Sequence, residues 1–186
     1  MNKGDVVAGS EYRKRQENNS WVFDVTPAPA PKFLLMAIGG GILILCALFG
    51  GLGIFSWLFF IPIGALGIWW GYFRDGRPAP HRSPSSFRVT PAAIDAHGQV
   101  FPKDDIHRLI IKNGVNNEVV GAPNLLIAVP TATAMGMVHR GQVATVANAL
   151  ELETGGRSYF LAGGMDQTTA FGLLHDVSKV LGFSAT

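Results

Sequence analysis

The chain has 186 residues, with 15 Lys and Arg against 13 Asp and Glu, one Cys, and 48% apolar residues beside only 15% charged. A soluble domain usually carries roughly 25% charged residues, so this chain is charge-poor. One Cys excludes a disulfide-stapled scaffold and a Cys-cluster zinc site, and a net charge of +2 does not mark a nucleic-acid binder.

Residues 1–32 read as a polar N-terminal segment. A charged stretch runs from Glu11 to Glu17, and Trp21, Phe23 and Val25 then alternate with Val22 and Asp24. That alternation suits either an edge strand added to a soluble domain or an interfacial aromatic anchor, with the strand preferred. The Thr-Pro-Ala-Pro-Ala-Pro run at 26–31 is expected to be an extended spacer, and residues 1–18 are expected to be mobile.

From Phe33 to Phe73, 41 consecutive residues contain no Asp, Glu, Lys, Arg or His. As one helix they would extend about 62 Å, twice the roughly 30 Å of a hydrocarbon core. Two transmembrane helices therefore fit, at about 33–50 and 54–73, reversing at Gly50-Gly51-Leu52-Gly53. Trp57 suits the far interface, and Trp69, Trp70 and Tyr72 suit the near one. Basic residues flank the run on both sides and the reversal carries none, which predicts both termini on the cytoplasmic side of the membrane. Pro62 should kink the second helix. Gly64, Gly67 and Gly71 give that helix a small-residue face, as Ala37 and Gly41 do for the first. These faces could pack on each other, self-associate or dock another membrane subunit, with mutual packing preferred. The run holds no ionisable group, which argues for an anchor rather than a transporter core.

Residues 74–85 form a basic Pro/Arg/Ser linker. Arg74, Arg77, Arg82 and, just beyond it, Arg88 are candidates for contact with the membrane surface, either by reading anionic lipid or merely by setting topology.

Residues 86–186 suffice for one small domain. Short strands are expected around Phe87–Val89, Ile94, Val100–Phe101 and Ile106–Lys112. A buried run follows at Leu125–Val129, and a glycine-turn hairpin is expected from Val143 to Ala162. Long loops are expected at Lys112–Asn124 and Pro130–Gln142. The last element is a helix, with Asp166 as N-cap, an apolar stripe through Ala170, Leu173, Leu174, Val177, Val180 and Leu181, and Gly182 as terminator.

The run Phe87-Arg88-Val89-Thr90 … Ile94 … Gly98 … Pro102 … Ile106 … Leu109-Ile110-Ile111, closed by an amphipathic helix, resembles bacterial pleckstrin-homology-like domains. A membrane hairpin before such a domain is an arrangement that family uses. The resemblance implies a partly open barrel of about seven antiparallel strands capped by a C-terminal helix, and a binding or scaffolding role.

No catalytic constellation is visible. The five His residues are scattered, and Asp104 and Asp105 would point to opposite faces of a strand. Met135, Met137 and His139 would share a face if extended, and are read as an apolar strand or loop face rather than a soft-metal site. Cys46 lies in the first apolar helix and is read as an inert packing residue. The sequence thus points to a non-enzymatic, membrane-anchored scaffold without metal or cofactor. Its expected partners are the lipid bilayer, other proteins of a secretion-type or transfer-type assembly, and a second copy of itself, with no nucleic acid. The alternatives are an anionic-lipid sensor and, behind it, a transporter or channel subunit.

Overall fold

Two strands precede the apolar run and build the first part of a sheet. β1 (Glu11–Glu17) and β2 (Ser20–Thr26) form an antiparallel hairpin across Asn18-Asn19, with Asn18 in the left-handed region at φ 54°. The computed structural model describes residues 9–50, 53–115 and 131–183, apart from the side chains of 54–56 and 131–135. The chain divides into two compact units, Pro31–Gly76 and a body made of the residues on either side of it.

In the body, β2 pairs with β3 (Ser85–Val89), which continues through β4 (Ala93–Ala96) to β5 (Gln99–Pro102) in a five-stranded antiparallel sheet of order β1-β2-β3-β4-β5. A second antiparallel sheet contains β6 (Ile106–Asn113), β7 (Asn148–Thr154) and β8 (Arg157–Met165) in that order. The fold is therefore α+β with two antiparallel sheets. Among the described residues these sheets do not close into a barrel. Among the described residues there are eight strands in two sheets, where about seven were expected, and two of the eight come from before the apolar run.

The core lies between the sheets and under α4 (Gln167–Leu181). Phe23 and Phe87 sit opposite each other on β2 and β3 and stack at 5.5 Å between centroids. Val25, Val89, Ile94, Leu150, Leu152 and Leu161 are fully buried around them. The outer face of β1–β3 is polar, as expected of a sheet with one wet side. There Arg15 Nε donates to Asp24 Oδ2 at 2.7 Å, and Ser86 and Arg15 hold the Asp24 carboxyl below its ordinary pKa.

The C-terminal helix follows the sequence closely. Ala170, Leu173, Val177 and Leu181 are buried, with Leu174 and Val180 half-buried beside them. Gly182 adopts φ 70°, ψ 30°, and its N–H and that of Phe183 return to Lys179 and Ser178, closing the helix.

Four expectations are corrected. Residues 11–17 are a strand rather than a mobile tail; residues 1–8 lie outside the described set. The body does not begin at residue 86, because residues from 9 to 30 are built into it. Residues expected as a loop and as the start of a strand form helix α3 (Thr131–Thr145), so β7 begins at Asn148 and not at Val143. Helix α3 is joined to β6 by Asn113 Nδ2, which donates to the Ala144 carbonyl at 2.7 Å. Finally, Met137 and His139 lie on that helix, so their period-two spacing does not align them on one face. Leu125–Val129 and most of the loop before it lie outside the described residues.

Asp166 caps α4 and also binds the start of β1. Its carboxylate accepts from Thr169 N at 2.9 Å, Ser10 Oγ at 2.7 Å and Ser10 N at 3.1 Å. Partial burial would raise its pKa, but these bonds outweigh burial and hold it below the ordinary 3.8. A depressed carboxylate contributes stability above the unfolded value, and that stability is lost as pH falls through the folded one. Asp166→Ala should cost about 0.5–2 kcal/mol near pH 7, the usual range for an N-cap. In urea titrations the gap between the two chains should narrow as pH drops below about 4. A gap that stays constant with pH would remove the carboxylate from this role.

Candidate membrane-anchoring surface

The second unit is a helical hairpin of α1 (Leu34–Phe49) and α2 (Ile54–Phe73). Leu, Ile, Ala and Met favour helix, and Pro at 31 and Gly at 50 and 53 mark its ends. Both helices start and stop within one residue of the expected 33–50 and 54–73; residues 51 and 52 of the reversal lie outside the described set.

The two helices meet along small residues. Ala37, Gly40 and Ala47 of α1 are buried, as are Gly64 and Gly71 of α2. A Cβ at Gly64 would come within 2.5 Å of the Gly40 carbonyl, and one at Gly71 within 2.7 Å of the Phe33 carbonyl. Gly67 sits between them, where an added Cβ would lie 3.4 Å from Gly40 Cα and the Met36 carbonyl. The candidate positions Ala37, Gly64, Gly67 and Gly71 thus belong to the internal seam. Gly41 does not, since a Cβ there would meet nothing within 4 Å. The seam follows Ala37-Gly40-Ile44-Ala47, alternating three-residue and four-residue steps, so Gly40 holds the position expected of Gly41.

Large apolar side chains point the other way. Nine on α1 and, among the described side chains, nine on α2 are exposed, among them Leu34, Ile38, Phe49, Leu58, Leu66 and Phe73. Elsewhere among the described residues, the exposed large apolar side chains are Val100, Met137, Val138 and Phe171. The hairpin is therefore inside-out relative to a water-soluble one, where Leu and Ile would fill the seam and polar residues the outside. Close packing of Gly and Ala with large residues outward is how helices associate in lipid, where burying Leu against Leu gains nothing over lipid tails.

One end of the hairpin carries cations on aromatic rings. Arg74 Cζ lies 3.6 Å from the Trp70 ring centroid, and Lys32 Nζ lies 4.7 Å from that of Tyr72. Phe33 N–H donates to the Gly71 carbonyl at 2.9 Å and closes this mouth. Trp69, Trp70 and Tyr72 are all exposed beside it, and Trp57 is exposed near the opposite end. Aromatic rings paired with snorkelling cations are the side chains that suit the headgroup zone of a bilayer.

Length runs against two complete spans. Among the described residues no helix is long and apolar enough to cross a membrane. The 16 residues of α1 rise about 24 Å, short of the roughly 30 Å of a typical core. Helix α2 has 20 residues, of which the first three have side chains outside the described set. Pro62 lies inside α2, which continues through it.

The four candidate arginines do not form one basic strip. Arg77 is only 3% exposed, and its Nη1 donates to the Ala28 carbonyl at 2.6 Å inside the body. Arg82 donates twice to the Arg77 carbonyl, at 2.8 and 2.5 Å. Arg88, on β3, reaches Glu17 at 3.3 Å. Arg74 is left on the hairpin. The linker expectation is corrected accordingly: from Arg77 onward the segment belongs to the body and includes a 3-10 turn at Ala79–Arg82. Sequence reasoning missed the burial of Arg77, and only the Pro-flanked position of Ala28 hints that a backbone carbonyl there needs a donor.

Other reactive side chains are dispersed. Cys46 is exposed on α1. Asp104 and Asp105 sit in a 3-10 turn leading into β6. His81 is buried against Phe160, with ring centroids 5.5 Å apart, and His97 lies 6.1 Å from the same ring. Among the described residues no three His, Cys, Asp or Glu side chains gather to hold a metal ion.

Comparison of the chain with protein-family models, with curated proteins and with solved structures gave no match.

The seam makes a sharp prediction. Gly64→Leu should force the helices apart and lower the hairpin's thermal stability in detergent micelles by about 1–3 kcal/mol, the usual cost of overpacking. Gly41→Leu should stay within about 0.5 kcal/mol of the parent. If both substitutions cost the same, the seam is wrongly placed.

Proposed function

We propose that this protein is a non-enzymatic scaffold whose apolar hairpin, Pro31–Gly76, seats in a lipid bilayer and tethers the two-sheet body to it. The observation that carries this reading is the inside-out hairpin, with Gly and Ala in its seam and, among the described side chains, nine large apolar ones exposed on each helix. In water, so large a contiguous apolar surface would drive aggregation; in lipid it meets its natural solvent. The cation–aromatic pairs Lys32–Tyr72 and Arg74–Trp70 at one end add a headgroup-level collar.

On this reading the body is a pleckstrin-homology-like module held on the cytoplasmic side of a bacterial inner membrane. There it serves as a subunit or accessory of a larger secretion-type or transfer-type assembly. Two antiparallel sheets with a closing helix agree with the plan of such modules. Confinement at the bilayer raises its effective concentration for partners held there. Two of its sheet edges are ill suited to strand addition: β1 exposes alternating charges, and β5 has four residues and ends in Pro102. Partner contact therefore falls to other surfaces of the body. The dispersal of the four arginines favours tethering over reading of anionic headgroups.

The native Cys46 provides the test. In the full-length chain reconstituted into sealed vesicles, a membrane-impermeant maleimide should leave Cys46 unlabelled until detergent is added, and carbonate should not strip the protein. Prompt labelling of Cys46 together with carbonate release would overturn the anchoring reading. Saturable binding that demands anionic lipid and survives about 0.5 M salt, where simple surface attraction is screened, would replace tethering by lipid sensing.

A further inference from the structure

We infer that the hairpin is built for a thin bilayer, so that lipid acyl-chain length regulates its seating; this rests on the anchoring reading above. The mouth of the hairpin is fixed by the Phe33–Gly71 hydrogen bond and flanked by the two cation–aromatic pairs. From there α1 rises about 24 Å to Phe49, where Gly50 ends it by donating its N–H to the Cys46 carbonyl at 2.8 Å.

Helix α2 reaches a matching length by different chemistry. Pro62 has no amide hydrogen for the carbonyl of Leu58, four residues earlier. A carbonyl deprived of its helical partner is costly in hydrocarbon and inexpensive at a wet interface. Residues 54–58, Trp57 among them, therefore belong at the far headgroup zone. The dry part of α2 then runs from Phe59 to Phe73, about 22 Å, within one residue's rise or so of α1. The helices fall about 6 and 8 Å short of a typical core of roughly 30 Å. The mismatch is one-sided, because tilting shortens a helix's reach across the bilayer and cannot lengthen it.

The experiment uses the full chain in vesicles of unsaturated phosphatidylcholine with acyl chains of 14, 18 and 22 carbons, scored by protection of Cys46 from impermeant maleimide. Protection should be greatest in the 14-carbon bilayer. The partition ratio should fall by roughly tenfold toward the 22-carbon one, as a modest penalty accumulates over each ångström of shortfall. A second chain carries four leucines inserted after Phe49 and four before Ile54, adding about 6 Å to each helix beyond the glycine seam. Its optimum should move to the 18-carbon bilayer. Protection that is equal in all three bilayers, or an unmoved optimum in the lengthened chain, overturns the thickness inference while leaving anchoring intact. Absence of protection in every bilayer overturns anchoring itself.

Discussion

The pairing of β2 with β3 is the constraint on which the architecture depends. Residue 26 ends one strand and residue 85 begins its neighbour, and the whole apolar hairpin lies between them in the chain. Closing so long an interruption costs loop entropy that grows only slowly with length, so the insertion is thermodynamically tolerable once the strands bury enough surface. Phe23 against Phe87, flanked by Val25 and Val89, supplies that burial. The junction is then locked by polar bonds: Ala28 N–H to the Gly164 carbonyl at 2.8 Å, and Arg77 to the Ala28 carbonyl. Each satisfies a backbone or guanidinium group that burial would otherwise leave costly.

The N-terminal strand is secured a second time. Ser10 joins the carboxylate that caps α4, while Tyr12 and Lys14 of β1 reach Asp176 on the same helix at 3.4 and 3.5 Å. Lys14 also lies over the Trp21 ring at 4.6 Å. The segment before the hairpin and the last helix of the chain are thus parts of one structure. A fragment beginning at residue 86 would lack β1, β2 and the start of β3. It would expose the Phe87 and Val89 edge that β2 covers. The body has to be studied with its N-terminal hairpin present.

Local chemistry made much of this legible. The hairpin boundaries followed from the charge-free run and its glycines. The strands from Phe87 to Lys112 followed from alternation and turns, and α4 from its stripe and caps. What escaped was what only tertiary contact decides. In β1 the half-buried positions include Tyr12 and Lys14, and Lys14 is too polar to read as inward-facing until Asp176 and Trp21 are seen to receive it. In α3 the glycines and β-branched residues of Thr131–Thr145 lower helix propensity, so the segment reads as loop from sequence. Arg77 and Arg74 stand three residues apart in a basic run and meet opposite fates, one buried on a carbonyl and one spread on a tryptophan. Gly40 and Gly41 are adjacent, so only the helix phase could choose between them.

The small-residue seam also limits what the hairpin has left to offer. G-x-x-x-G patterns invite assignment as dimerisation faces, but here the 67–71 pair is spent within the chain, against Met36, Gly40, Phe33 and Ala37. A second copy or another membrane subunit would have to approach over large side chains such as Leu45, Leu58 and Leu66, where close backbone contact is blocked. Gly39 and Gly41, with open space where a Cβ would project, are the exceptions on α1. The hairpin has thus already satisfied its own tightest packing, and most of its outward surface is large apolar side chains. On the anchoring reading proposed above, that arrangement supplies the internal adhesion that holds two short helices together and leaves an exterior without small-residue contact sites along most of its length.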